Sequence, residues 1–145
     1  IFSSLGPGTR FLHVVRDGRD VTVSRHPSDP SAFWVDPERW VADVRAGLAW
    51  DEHPAVLLVR YEDLVGDYPG TMTRVVEFLG LDWDEAVLQY PQAATVSRND
   101  SWSGPAQPVT TDPVGRWRDP SLRERVEAFL AEPGAISLLE TLGYE

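Results

Sequence analysis

The chain predicts an α/β fold with a central parallel sheet flanked by helices, and three stretches carry that prediction. Arg10 to His26, RFLHVVRDGRDVTVSRH, reads as a strand, a tight turn and the start of a helix. His53 to Leu81, HPAVLLVRYEDLVGDYPGTMTRVVEFLGL, repeats the same order of strand, short loop and helix. Between them, Asp36-Pro37-Glu38 opens a helix with a capping residue and a proline at its first position. Short apolar runs that alternate with helices in this way are expected to be strands buried on both faces of a parallel sheet.

In chain order, Phe11, Leu12, Val14 and Val15 make the first strand, and polar residues begin abruptly at Arg16. Asp17-Gly18 is a turn signal, and Asp20 is expected to cap a helix carrying Val21, Val23 and Ser24 until Pro27. This places Arg16 and the N–H groups of a helix start at the carboxyl edge of the sheet, where open α/β folds bind anions. A guanidinium fork and the Ser24 hydroxyl suit a phosphate monoester, the first by charge and paired donors, the second by a directional donor. Spacing alone is equally compatible with a solvated turn in which Arg16, Asp17, Arg19 and Asp20 form local ion pairs.

The stretch SRHPSDPSAFWVDP, with its three prolines, reads as a loop. Ser24, His26 and Asp29 all lie within six residues with a proline between them, which argues against a hydrolase triad. Trp40, Val41, Val44, Leu48 and Trp50 recur at helical spacing and predict a helix packed on the sheet. Val56 to Val59 is the second buried strand, ending at Arg60 and Tyr61. Met72, Val75, Val76 and Leu79 form one stripe of a helix from Thr71 to Leu79. Asp84-Glu85 begins a short helix through Tyr90. Residues 93–113, rich in Ser, Thr, Asn, Gly and Pro, read as a long loop. Asp119-Pro120 caps a last helix with Leu122, Val126, Phe129 and Leu130.

Composition narrows the function. The 145 residues carry 23 acidic side chains against 13 basic ones, all arginine, for a formal charge of −10. That balance argues against nucleic acid or an anionic membrane as partner, so any anion site must be local. There is no cysteine, hence no disulfide framework or thiolate metal site, and His13, His26 and His53 lack metal-ligand spacing. No apolar run approaches the roughly 20 residues of a membrane span, and a soluble, cytoplasmic protein is expected. The chain does not begin with methionine, and two strands do not make a stable α/β sheet, so the later part of a longer domain is expected, with its upstream part as a partner.

The run VVRDGRDVTVS resembles the segment with which sulfotransferases that use 3′-phosphoadenosine-5′-phosphosulfate (PAPS) hold the nucleotide's 3′-phosphate. Arg16, Asp20, Val21 and Ser24 fall in that family's places. YEDL followed by a helix ending in FLGL is a second resemblance, in which Tyr61 takes the place of a tyrosine at the adenine. VGRWRD, Val114 to Asp119, is a third, matching the family's late glycine and tryptophan motif. The tail ISLLETLGYE is similar to the close of bacterial members.

The resemblance implies a three-layer P-loop-type fold of which only the later part is present, spanning residues 1–145 as a single partial domain. It implies PAPS as co-substrate, with no metal, and an acceptor hydroxyl or amine on a small molecule, carbohydrate or peptide. By resemblance Arg16 and Ser24 hold the 3′-phosphate and Tyr61 the adenine. Thr95 or Ser97 matches a contact to the base, and Arg116 or Arg118 stands in for a basic residue absent at Thr110, Thr111 and Asp112. Phe33, Trp34 and Trp40 line the acceptor pocket. The family's lysine-bearing phosphosulfate turn and its activating base are expected upstream of Ile1, since this chain has no lysine. Two alternatives remain at this level. A P-loop kinase relative would prefer ATP with magnesium, and a binding module would lack the donor turn altogether.

Overall fold

The structure is a computed structural model, and it describes residues 6, 8–26, 28–93 and 106–145. Its centre is a parallel pair, β1 (Phe11–Val15) and β4 (Val56–Arg60), in register from Phe11 opposite Val56 to Val15 opposite Arg60. Between them the chain forms α1 (Gly18–Thr22), an antiparallel hairpin of β2 (Arg25–His26) and β3 (Asp29–Phe33), and α2 (Pro37–Leu48). After β4 come α3 (Tyr61–Gly66), α4 (Tyr68–Phe78), a 3-10 turn at Glu85–Val87 and α5 (Tyr90–Ala93). Two further 3-10 turns, Arg116–Arg118 and Pro120–Leu122, lead into α6 (Arg123–Leu130) and α7 (Ala135–Thr141).

The core lies on one face of the parallel pair. Val15 of β1 meets Trp40, Val41 and Val44 of α2, Phe129 of α6, and Ala135, Leu139, Leu142 and Tyr144 at the end of the chain. The apolar stripe read from α2 is therefore the stripe that packs. Gly18 is required where α1 enters this core: an added Cβ would stand 2.3 Å from Phe129 Cζ and 2.7 Å from Trp40 Cε2. Any side chain there would push α1, and with it Arg16, off the sheet edge. On the other face Val59 is buried and α4 packs against β4. Helices thus flank both faces, as an α/β layer arrangement requires.

Several expectations need correction. β1 is not buried on both faces, because Leu12 is 42% and Val14 55% exposed; periodicity reports an apolar run but not what covers it. The cap of α1 is Asp17, whose side chain accepts from the Arg19 N–H, while Asp20 sits inside the first turn. The proline-rich stretch is a hairpin with a bulge between Arg25 and His26, where a loop was expected. Pro30 is tolerated there because a two-stranded ribbon has open edges. The helix expected from Thr71 begins at Tyr68, with Pro69 in its first turn and the Asp67 carboxylate accepting from Gly70 N–H. Asp119 caps a 3-10 turn, and α6 follows it.

Candidate functional site

The carboxyl ends of β1 and β4 lie side by side, so the residues that follow them meet. The Arg16 guanidinium stands over the Tyr61 ring, 4.9 Å from its centroid. These are two of the residues singled out in the sequence, 45 positions apart, brought together by the register of Val15 on Arg60. Arg16 Nη2 donates to the Pro113 carbonyl at 2.5 Å and lies 4.0 Å from Asp20 Oδ2. Arg16 Nε is buried and has no hydrogen-bond partner among the described residues. Such a donor is costly to leave unmade. The Trp40 indole N–H donates to the Arg16 carbonyl at 3.1 Å and fixes the backbone from below.

Asp20 is the hub. Only 1% exposed, it accepts the Gly115 N–H at 2.6 Å and the Trp117 N–H at 3.0 Å. Gly115 has a left-handed φ of 77°, a conformation that favours glycine and turns its N–H toward Asp20. Trp117 is held between two guanidiniums, Arg19 at 4.0 Å and Arg118 at 4.4 Å from its ring. The late motif is therefore pinned against α1.

On the covered face runs a second network. Asp17 binds the Arg19 guanidinium in a buried pair at 2.7 Å, and its own N–H donates to Glu62 Oε1 at 3.0 Å. Tyr144 donates to Glu62 Oε2 at 2.7 Å, and Arg60 stands 4.4 Å over the Tyr144 ring. Burial first, and the Glu62 carboxylate second, push the Tyr144 phenol well above its ordinary pKa. These groups border a cleft of about 260 Å³ whose lining includes Asp17, Asp20 and Glu62.

The remaining candidates separate. Ser24 donates its hydroxyl to the Asp20 carbonyl at 2.7 Å, one helical turn back. Arg116 is exposed on the 3-10 turn next to Gly115. Thr95, like Ser97, lies outside the described residues. Trp40 is buried in the core, packed as its helical spacing predicts. Phe33 is half-buried between the Arg25 and Arg125 guanidiniums, at 4.0 and 4.6 Å. Trp34 is exposed and stacks on His26 at 4.5 Å. Ser24, His26 and Asp29 do not form a triad: His26 Nδ1 accepts from Ser28 N–H, and Asp29 accepts from Ser31.

A group central to the site was missed in the sequence. The Pro113 carbonyl leaves no mark on residue type, and Asp20 read as a helix cap because its two partners are backbone N–H groups. The only signal was the recurrence of glycine and tryptophan in VGRWRD.

A model of the sulfotransferase family matches residues 3–85, more than half of the chain, and the chain belongs to that family. Among solved structures it is similar to the sulfotransferase domain of the olefin synthase of Synechococcus PCC 7002, at 24% identity and a TM-score of 0.63. That likeness covers 94% of this chain and 50% of the other, so this chain spans about half the length of the protein it matches, and the fold is shared. Comparison with curated proteins finds no match.

Proposed function

We propose that this chain holds the donor nucleotide of a sulfotransferase reaction, PAPS, whose sulfuryl group passes to an acceptor hydroxyl or amine. The observation that carries this reading is the Arg16–Tyr61 pair at the carboxyl ends of two adjacent parallel strands, with Arg16 Nε left without a partner. A guanidinium with an uncommitted N–H suits the dianionic 3′-phosphate, and a tyrosine ring beside it suits an adenine face. PAPS would supply the activated sulfuryl group; the residues here select and orient it.

In this reading Arg16 binds the 3′-phosphate, and Ser24 joins it by turning its hydroxyl from the Asp20 carbonyl to a phosphate oxygen. Tyr61 takes the base, Thr95 is by resemblance a second contact to it, and Arg116 adds charge. Trp34, exposed and stacked on His26, faces the acceptor together with Phe33. Fixing donor and acceptor in line is the main requirement for transferring such a group, together with neutralising charge on the leaving oxygens.

Titration with adenosine 3′,5′-bisphosphate against 5′-AMP tests the reading. Wild type is expected to prefer the bisphosphate. Arg16→Ala is expected to weaken bisphosphate binding by about 1.5–3 kcal/mol, the range for a hydrogen bond to a charged group. Equal affinities for the two nucleotides, or an unchanged affinity in folded Arg16→Ala, would overturn it.

A further inference from the structure

We infer that Asp20 is a positioning residue, whose buried carboxylate holds the segment 113–117 so that this segment in turn sets the Arg16 guanidinium for a 3′-phosphate. The inference rests on the reading of Arg16 given above. It begins from an imbalance of distances. The Arg16 guanidinium, just before the cap of α1, is a cation four residues away, yet Asp20 Oδ2 lies 4.0 Å from Arg16 Nη2 and only 2.6 Å from the Gly115 N–H. Its other oxygen is taken by the Trp117 N–H at 3.0 Å. The carboxylate is thus spent on backbone amides of a segment nearly 100 positions away.

That segment returns to Arg16. Pro113, two residues before Gly115, accepts the Arg16 Nη2 proton at 2.5 Å. Asp20, Gly115, Pro113 and Arg16 therefore close a ring in which one terminal nitrogen of the guanidinium is fixed from two sides. With Nη2 committed, rotation of the fork is blocked, and Nε keeps its donor without a protein acceptor among the described residues. An orientation held before the ligand arrives removes part of the ordering cost of binding.

The role requires two acceptor oxygens. Asp20→Asn keeps the shape but turns an NH2 group against one of the two N–H donors, so the segment must detach at Gly115 or Trp117. A purely structural contribution would lower the melting temperature and reduce binding of every nucleotide alike. A positioning role instead removes the preference for the 3′-phosphate and spares 5′-AMP.

The experiment combines hydrogen exchange with the two-nucleotide titration, in wild type and Asp20→Asn. Exchange at Gly115 and Trp117 is expected to accelerate while the β1 and β4 amides stay protected, and the preference for the bisphosphate over 5′-AMP to fall roughly tenfold, with 5′-AMP affinity unchanged. Should Asp20→Asn not fold, Trp117→Leu decides, because it loosens the same segment by removing the ring between Arg19 and Arg118. It is expected to lower the preference in the same sense. Freed amides with an intact preference overturn the role of Asp20, as do amides that stay protected. Absence of any preference in wild type removes the 3′-phosphate reading itself, and this inference with it, and the wild-type arm alone reveals that case.

Discussion

Two arginine–tyrosine pairs stand at the carboxyl ends of the same two strands, and they differ in everything except their chemistry. Arg16 lies over Tyr61 at 4.9 Å, and Arg60 lies over Tyr144 at 4.4 Å. Both arginines have a buried Nε without a partner. The Tyr144 phenol is buried and donates to Glu62, and the cleft beside Arg60 is lined by Arg19 and Arg118 as well as by Asp17, Asp20 and Glu62. No hydrogen bond to the Tyr61 hydroxyl is found among the described residues, and the one carboxylate near Arg16, that of Asp20, is committed to two backbone N–H groups. The two pairs thus differ at the tyrosine: the Tyr144 hydroxyl is committed to Glu62, and that of Tyr61 has no such bond among the described residues.

Substitutions can break this contrast from either side. The largest effect on stability is expected at Glu62, where Glu62→Ala removes the acceptor of both the Asp17 N–H and the Tyr144 hydroxyl. Two bonds to a partly buried charge put the loss at about 2–3 kcal/mol, read by urea denaturation, with the nucleotide preference retained. Arg16→Ala should do the reverse, losing the nucleotide and little stability. Tyr144→Phe is milder: it leaves the Glu62 carboxylate one donor short, at about 1–2 kcal/mol in the same assay.

The smallest expected effect belongs to His13, on the covered face of β1. Its ring fills the space left by Gly47, where an added Cβ would stand 2.2 Å from Cε1, and its Nδ1 is buried without a partner among the described residues. Burial holds its pKa below 6.5, and the Asp51 carboxylate opposes the shift in part. The unfolded chain therefore takes up a proton more readily than the folded one, and stability falls as pH drops below 6.5 toward the lower folded value. His13→Gln should flatten the slope of urea midpoint against pH between about 7 and 5; an unchanged slope would place that dependence elsewhere.

The parallel pair, α2 and the helix after β4 were legible because apolar spacing alone defines them. Arg16 and Tyr61 were legible because each follows a strand directly, and parallel register does the rest. The hairpin was not, since its two prolines mask an alternation only two strands long. The exposure of Leu12 and Val14 was not, because a pattern of apolar residues is the same whether or not a neighbour covers it. Nor was the Asp20 clamp, whose partners are backbone groups some 95 positions away. The packing of Trp40 was legible too, because its helical spacing with Val41, Val44 and Leu48 predicts a core face.

A structure of the protein with adenosine 3′,5′-bisphosphate tests the central contrast most directly. The account predicts the 3′-phosphate on the Arg16 guanidinium with the adenine against Tyr61, and the Arg60–Tyr144–Glu62 network unchanged. A phosphate seated instead in the cleft beside Arg60 and Arg118, with Arg16 still on Pro113 and no nucleotide near Tyr61, would contradict it.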